Sequence, residues 1–311
     1  MEWKPGDYIM LRRTRTFSQG KPHVDRVIIK IIPDMNNRVM AVERGEVDAM
    51  PFFDSLREVK RLSGDKNLVV TNKGAPVSAP STGWPSAHRR SRSTTCGSVR
   101  QRPTPSTAIF RQGHHDGPCD AFRHPDHAVQ PFYAKDVNMY DVNLEKAKKL
   151  LDEAGYPVKA DGTRFTVTVD YAPGSPTTKM MAEYLKPQLA KVGIDAKIRI
   201  SPDFGTWAER VSNYNFDITT DNVFNWGDPV IGVHRTYSSA NIVKGVPFSN
   251  TQQYRNPKVD AIMEQAASEV DNEKRAKLYK EFQQIVMNDV PIYFMTTTAY
   301  HTIYNKRVGN V

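Results

Sequence analysis

The stretch FTVTVDYAPGSPTTKMMAEYLKPQLAKVGIDAKIRI, residues 165–200, decides the fold class. Phe165–Tyr171 alternates apolar and polar side chains, the period-two pattern of a strand. Thr177–Val192 switches to an amphipathic helical period, with Pro187 a weak point because proline removes a backbone donor. Ile194–Ile200 alternates again. Strand, helix, strand is α/β grammar.

Moving outward from this stretch, the same grammar continues. Asn143–Gly155 reads as a helix, with Asn143 as N-cap, Leu144, Ala147, Leu150, Leu151 and Ala154 on one face, and Gly155 at the end. Phe216–Thr219 is a short buried strand, Asn256–Glu269 and Asn272–Met287 are helices, and Pro291–Met295 is an apolar strand. Nearer the start, Arg26–Ile32 (RVIIKII) is β-branched and strand-like, and Asn36–Glu46 is helical with Gly45 at its C-terminal cap. Val47–Met50 and Leu68–Thr71 read as short strands.

Residues 75–130 break the pattern. They contain no Leu, Lys, Glu, Met or Tyr, yet hold seven Pro, seven Arg and five of the chain's eight His. Neither a helical nor a period-two repeat survives, so the composition is that of a disordered Pro/Ser/Arg segment. The formal charge of +9 divides as +4 over residues 1–74, +4 over 75–130 and +1 over 131–311. The charge that invites a nucleic-acid reading therefore sits mostly outside the well-patterned body.

Within 75–130, His114, His115, Cys119, His124 and His127 are zinc-ligand types, and Arg89-Arg90-Ser91-Arg92 could touch phosphate. This carries the competing reading, a basic nucleic-acid- or metal-binding protein using the 88–127 Arg/His/Cys segment. The ligand spacing matches no standard finger, and no aromatic stacking platform accompanies the arginines. Neither P-loop, GxSxG nor HExxH is present, so no enzyme class is indicated. Asp217, Asp221 and Asp228 read as loop caps before they read as catalytic carboxylates. Cys96 and Cys119 are too few for a disulfide framework. No run of eighteen apolar residues occurs, so the sequence offers no candidate membrane-spanning helix.

Six motifs in order bear a family resemblance: WKPGDYIMLRR from Trp3, GKPHVDRVIIKIIPD from Gly20, RVMAVERGEVDAM from Arg38, LEKAKKLLDEAG from Leu144, MAEYLKPQLAKVGID from Met181, and YRNPKVD with the helix from Asp271 to Phe294. Together they resemble the solute-binding proteins of ABC importers, the oligopeptide/dipeptide/nickel-binding family. The resemblance implies a two-lobed α/β periplasmic-binding-protein fold with an incomplete first lobe. It also implies a small-molecule solute, peptide-like or related, an ABC permease as membrane partner, a monomer, a periplasmic location and no cofactor, metal or nucleic acid. Residues 1–74 would be a remnant of lobe I, 131–285 lobe II, and 286–311 the return to lobe I. Family chains are longer, and carry a signal peptide upstream of the WKPGDY-like segment. None is expected within the first thirty residues here, which hold Lys4, Arg12, Arg13 and Arg15 without an apolar core. The chain is thus expected to be an N-terminally truncated, poorly stable and non-functional fragment that, as written, would stay cytoplasmic.

Asn213–Asn250 is long, loop-like and rich in aromatics and amides, which is more often functional than structural. In the family the corresponding loop lines the ligand cleft. The resemblance puts Trp226, Asp228 and Pro229 in or beside the site, with Asn225 where peptide-binding members carry an Asp for the ligand's ammonium group. Nor does Tyr171–Ser175 contain the Arg of dipeptide-type members. Arg235 is the candidate carboxylate contact through its planar donor fork. Trp226, Tyr237 and Trp207 are candidate apolar walls, and Asn241 and Asn250 candidate amide contacts.

The family carries a motif like F-D-D-x-R-x-R-Q-A-I-x-x-A-I-D-R where Ala75–Gln130 stands. Ser93–Gly97 (STTCG) can be encoded so that the frame one nucleotide earlier reads F-D-D-V-R, and Pro105–Phe110 (PSTAIF) likewise reads A-I-D-R-D-F. Residues 75–130 are therefore read as out-of-frame translation, with the frame restored near Pro131. Resequencing the gene is expected to reveal compensating insertions or deletions around these codons; a clean read with the frame intact would sink this reading.

Overall fold

The computed structural model describes residues 1–14, 23–72, 81–87, 132, 134, 137, 143–223, 228–292, 296–297 and 300–309. The chain divides into two compact units, residues 1–73 with 301–311, and residues 74–300. The stretch expected to return to the first unit from residue 286 is split: 286–300 stays with the second unit and the final strand joins the first. Pro291 and Ile292 form a bend rather than the start of a strand, and 293–295 lie outside the described residues.

In the first unit, β1 (Glu2–Lys4), β2 (Tyr8–Arg12) and β3 (Arg26–Lys30) make an antiparallel sheet in that order. The β-branched run makes a strand as its composition suggests, but Val27, Ile28 and Ile29 are each about half exposed. A second sheet has the order β4 (Ala49–Phe53), β11 (His301–Asn305), β5 (Leu68–Thr71). Helices α1 (Met35–Glu43) and α2 (Leu56–Leu62) complete this unit. Its core gathers Val39, Val42, Met50, Phe53, Leu62, Leu68 and Ile303. The terminal strand therefore closes a core begun some 250 residues earlier, a pairing no local pattern could announce.

The second unit is built on the opening stretch of sequence. β7 (Phe165–Tyr171) pairs in parallel with β8 (Ile194–Arg199) and with β9 (Ile218–Val223). Helix α4 (Pro176–Ala190) links β7 to β8, and α5 (Phe204–Ser212) links β8 to β9. Pro187 lies inside α4 without ending it. α3 (Leu144–Glu153) begins at Asn143, whose side chain accepts from the Lys146 amide at 2.9 Å. Two apolar layers cover the sheet. Leu151, Leu185, Leu189, Val169, Ile194 and Ile218 form one, while Ala172, Trp207, Val211 and Phe216 form the other. Burial on both faces is what a parallel sheet needs. Of residues 75–130, only Ser81–Ala87 are described; they form β6, between β9 and β10 (Thr296–Thr297) in the order β10-β6-β9-β7-β8. Backbone pairing needs no side-chain alternation, so composition could not announce this strand. The remainder of that segment, with its His/Cys and Arg clusters, lies outside the described residues.

Gly193 turns the chain into β8 with φ +83°, and a Cβ there would meet Arg164 Cγ at 3.1 Å. Arg164 is itself buried: its Nε donates to the Val192 carbonyl at 3.0 Å and its guanidinium also holds Asp152 and the Tyr156 carbonyl. Leu151 is fully buried beneath this tie. Leu151→Ala is expected to destabilise the second unit by about 2–5 kcal/mol, measured by chemical denaturation.

Candidate functional site

Loops leaving the carboxyl ends of parallel strands are where open α/β sheets bind ligands, because helices on opposite faces pull adjacent connections apart. Here α4 and α5 take the connections from β7 and β8 to opposite faces, and the long loop follows β9. At this end of the sheet Asp170, with no exposed surface, accepts from Arg199 Nε at 2.9 Å and Nη2 at 2.7 Å. It also accepts from Arg210 Nη1 at 2.7 Å, and Arg210 donates to Ser201 Oγ at 3.1 Å. The other carboxylates have separate tasks. Asp217 accepts from the Thr168 amide and hydroxyl at 2.8 and 2.7 Å, which fixes β9 beside β7. Asp228 pairs with Arg275, so Asp217 and Asp228 are engaged by separate partners.

After β9, residues 224–227 lie outside the described residues, and Asn225 and Trp226 with them. Asp228 Oδ1 accepts from Val230 N at 2.9 Å and from Arg275 Nη2 at 2.7 Å; the guanidinium holds its carboxyl below the usual range. The chain then forms α6 (Val233–Tyr237), a 3-10 turn at Ser239–Asn241, α7 (Pro257–Ser268) and α8 (Asn272–Asp289). His234 Nε2 lies 3.0 Å from Tyr279 Oη, and burial lowers its pKa.

Much of what looked like ligand chemistry is internal stitching. Tyr237 is buried, edge-on to Phe282 and Tyr254, in a core with Val259, Ile262 and Met263. It is a core residue and not an apolar wall; burial raises its pKa. Trp207 is likewise core, its Nε1 donating to Thr219 Oγ1 at 3.1 Å. Asn250 is fully buried: its Nδ2 donates to the carbonyls of Tyr237, Ser238 and Tyr254 at 3.2, 3.0 and 2.8 Å, and its Oδ1 accepts from Tyr254 N at 2.9 Å. Both N–H groups of its amide are thus engaged within the protein, and the side chain is a buried brace of the loop. Asn241 Nδ2 donates to the His234 carbonyl at 3.2 Å. Asp260, the last residue of the YRNPKVD motif, accepts from the Ser239 amide at 2.9 Å and from its hydroxyl. Arg235 differs: it is exposed, and donates through Nη2 to the Pro247 carbonyl at 2.9 Å. Phe204 and Phe248, also missed, stack at 5.8 Å and are nearly half exposed.

Among the described residues no group of three His, Cys, Asp or Glu could hold a metal ion, and no helix is long and apolar enough to cross a membrane.

Comparison with known proteins accords with this architecture. The family profile of bacterial extracellular solute-binding proteins, family 5 Middle, matches residues 1–86 and 118–244, about two-thirds of the chain. The chain belongs to that family. The oligopeptide-binding protein AppA of Bacillus subtilis is 27% identical over 309 residues, covering 94% of this chain and 54% of the relative. The dipeptide-binding protein of Escherichia coli is 25% identical over 303 residues, covering 94% and 53%. The chain thus spans about half the length of these relatives. Among solved structures, NikZ from Campylobacter jejuni in complex with Ni(L-His) superposes with a TM-score of 0.79 at 19% identity, covering 98% of this chain and 62% of that one. AppA from Bacillus subtilis in complex with a nonapeptide gives 0.77 at 21%, covering 100% and 62%. The α/β periplasmic-binding-protein fold is the one these structures share. The relatives favour solute binding and lend the nucleic-acid or metal-binding alternative no support. The family match is interrupted over residues 87–117, inside the Pro/Arg/His-rich segment.

One titratable group at this end of the sheet stands apart. Burial pushes the Asp221 carboxyl, on β9 just before the loop, from 3.8 up to about 7. Between roughly pH 4 and 7 the folded protein holds a proton that the unfolded chain has released, so folding weakens as pH rises through that window. The melting temperature of Asp221→Asn, relative to the parent, is expected to climb over this range and level off above it. A flat difference across pH 4–8 would show the carboxyl to be ordinary.

Proposed function

We propose that this chain is the solute-capturing component of an ABC importer, with the loop after β9 carrying its ligand contacts. It works outside the cytoplasmic membrane as a single copy, catalyses nothing, and delivers its solute to a permease. The family match over residues 1–86 and 118–244 carries this reading. The expectation of out-of-frame sequence over residues 75–130 narrows to 87–117, where that match breaks, because the match itself runs through 75–86 and 118–130.

The ligand contacts are Asn225, Trp226 and Arg235, with Asp228 and Asn241 shaping the loop and Tyr237 supporting it from below. Asn225 is uncharged, so it cannot form the ion pair with an ammonium group that the family's Asp supplies. Arg235, exposed and with a planar fork, suits a carboxylate. The favoured solute is therefore peptide-like with a recognised carboxylate and an unrecognised amine. In isothermal titration with tetraalanine, N-acetylation is expected to change affinity less than about threefold, while C-terminal amidation weakens it about tenfold or more. Arg235→Gln is expected to abolish the difference between acid and amide. If neither tetraalanine, a nonapeptide nor nickel–histidine binds or raises the melting temperature, the solute-capturing reading fails.

A further inference from the structure

Arg275 is held more tightly than a surface arginine. Its side chain is only 14% exposed, its Nε donates to the Ala266 carbonyl of α7 at 2.9 Å, and its guanidinium carbon lies 5.2 Å from the Phe132 ring centre and 5.5 Å from that of Tyr279. Phe132 is fixed in turn, because Gln283 Nε2 donates to its carbonyl at 2.7 Å. The rings and the α7 carbonyl set the direction of the fork, and Nη2 meets Asp228 Oδ1 at 2.7 Å. Asp228 holds the turn that follows: besides the Val230 amide on its side chain, its own carbonyl accepts from Ile231 N at 2.9 Å. One helical turn further along the same face of α8, Tyr279 meets His234. Beneath that face α8 is anchored by buried Phe282 and Val286.

We propose that Arg275 is a positioning residue that clamps the ligand loop onto α8 through Asp228, and that Asp228 is not itself a ligand contact. The His234–Tyr279 contact is the second point of the clamp, one turn away. This rests on reading residues 213–250 as the ligand loop. The clamp sets position more than stability. Asp228 is 43% exposed, and exposed ion pairs contribute little to global folding. A planar fork held by a carbonyl and two rings is nevertheless directional, whereas a lysine replaces its two spaced donors with one compact ammonium that has no fixed plane.

The test is amide hydrogen exchange on the full chain without ligand, comparing residues 228–237 with 259–286. Asp228→Asn keeps an oxygen for the Val230 amide but loses the charge; Arg275→Lys keeps the charge but loses the fork. Each is expected to speed exchange at 228–237 about tenfold, with 259–286 unchanged and the melting temperature lowered by a few degrees at most. The double variant is expected to exchange no faster than either single one, since both break the same tether. Unchanged exchange at 228–237 in Asp228→Asn overturns the clamp. Should Arg275→Lys loosen α8 as a whole, Asp228→Asn decides alone, since it leaves α8 untouched. A separate arm adds tetraalanine or nickel–histidine to the parent chain. Absence of protection at 228–237 there counts against the ligand-loop reading and leaves the clamp result standing.

Discussion

Asp170 is a carboxylate with no exposed surface at the carboxyl end of the central parallel strand, and the second unit is arranged around it. A buried charge left unpaired is strongly destabilising, so its two arginines are obligatory neighbours. Arg199 brings in β8 and, through a donation to the Asn215 carbonyl at 2.6 Å, the connection before β9. Arg210 brings in α5 and Ser201. One acidic side chain thereby registers two strands, a helix and two connections. Apolar layers on both faces supply the bulk of the burial. They would tolerate small shifts that a bidentate ion pair does not.

The loop after β9 obeys a different economy. Its described residues form no strand, so much of its shape comes from polar ties to fixed elements: Asn250 to three carbonyls, Gln252 to the Thr236 carbonyl at 2.6 Å, Asp260 to Ser239, and Asp228 to Arg275. Irregular backbone carries donors and acceptors that no ladder satisfies, and amide and carboxylate side chains take that role. This is why an asparagine-rich stretch that resembles a binding surface in sequence is partly its own scaffold. Arg235 is the exception, exposed and attached at only one carbonyl among the contacts described.

Legibility followed the range of the interactions. Phe165–Tyr171 was readable as a strand to the residue, and Asn143 as an N-cap, because alternation and capping depend on neighbours within a turn. α2 and α5 were not anticipated; β11 falls within the 286–311 return that the resemblance implied, but its five residues carry no distinguishing pattern and owe their strand to partners near residues 50 and 70. At the site, the loop itself stood out by length and composition. The roles of its members did not: Tyr237 and Trp207 read equally well as wall or core, and Arg275 and Asp260 were marked only as members of the family motifs.

From sequence alone came the α/β class, the order of the central elements, the family resemblance and the anomalous composition of residues 75–130. Each depends on local periodicity, short motifs or residue counts. Only the tertiary structure decided which polar side chains are already engaged within the protein. The partner of Asp228 lies 47 residues away and that of Asp170 up to 40. Whether a side chain is left over for a ligand depends on the distant segment that folds against it, and periodicity carries no information about that.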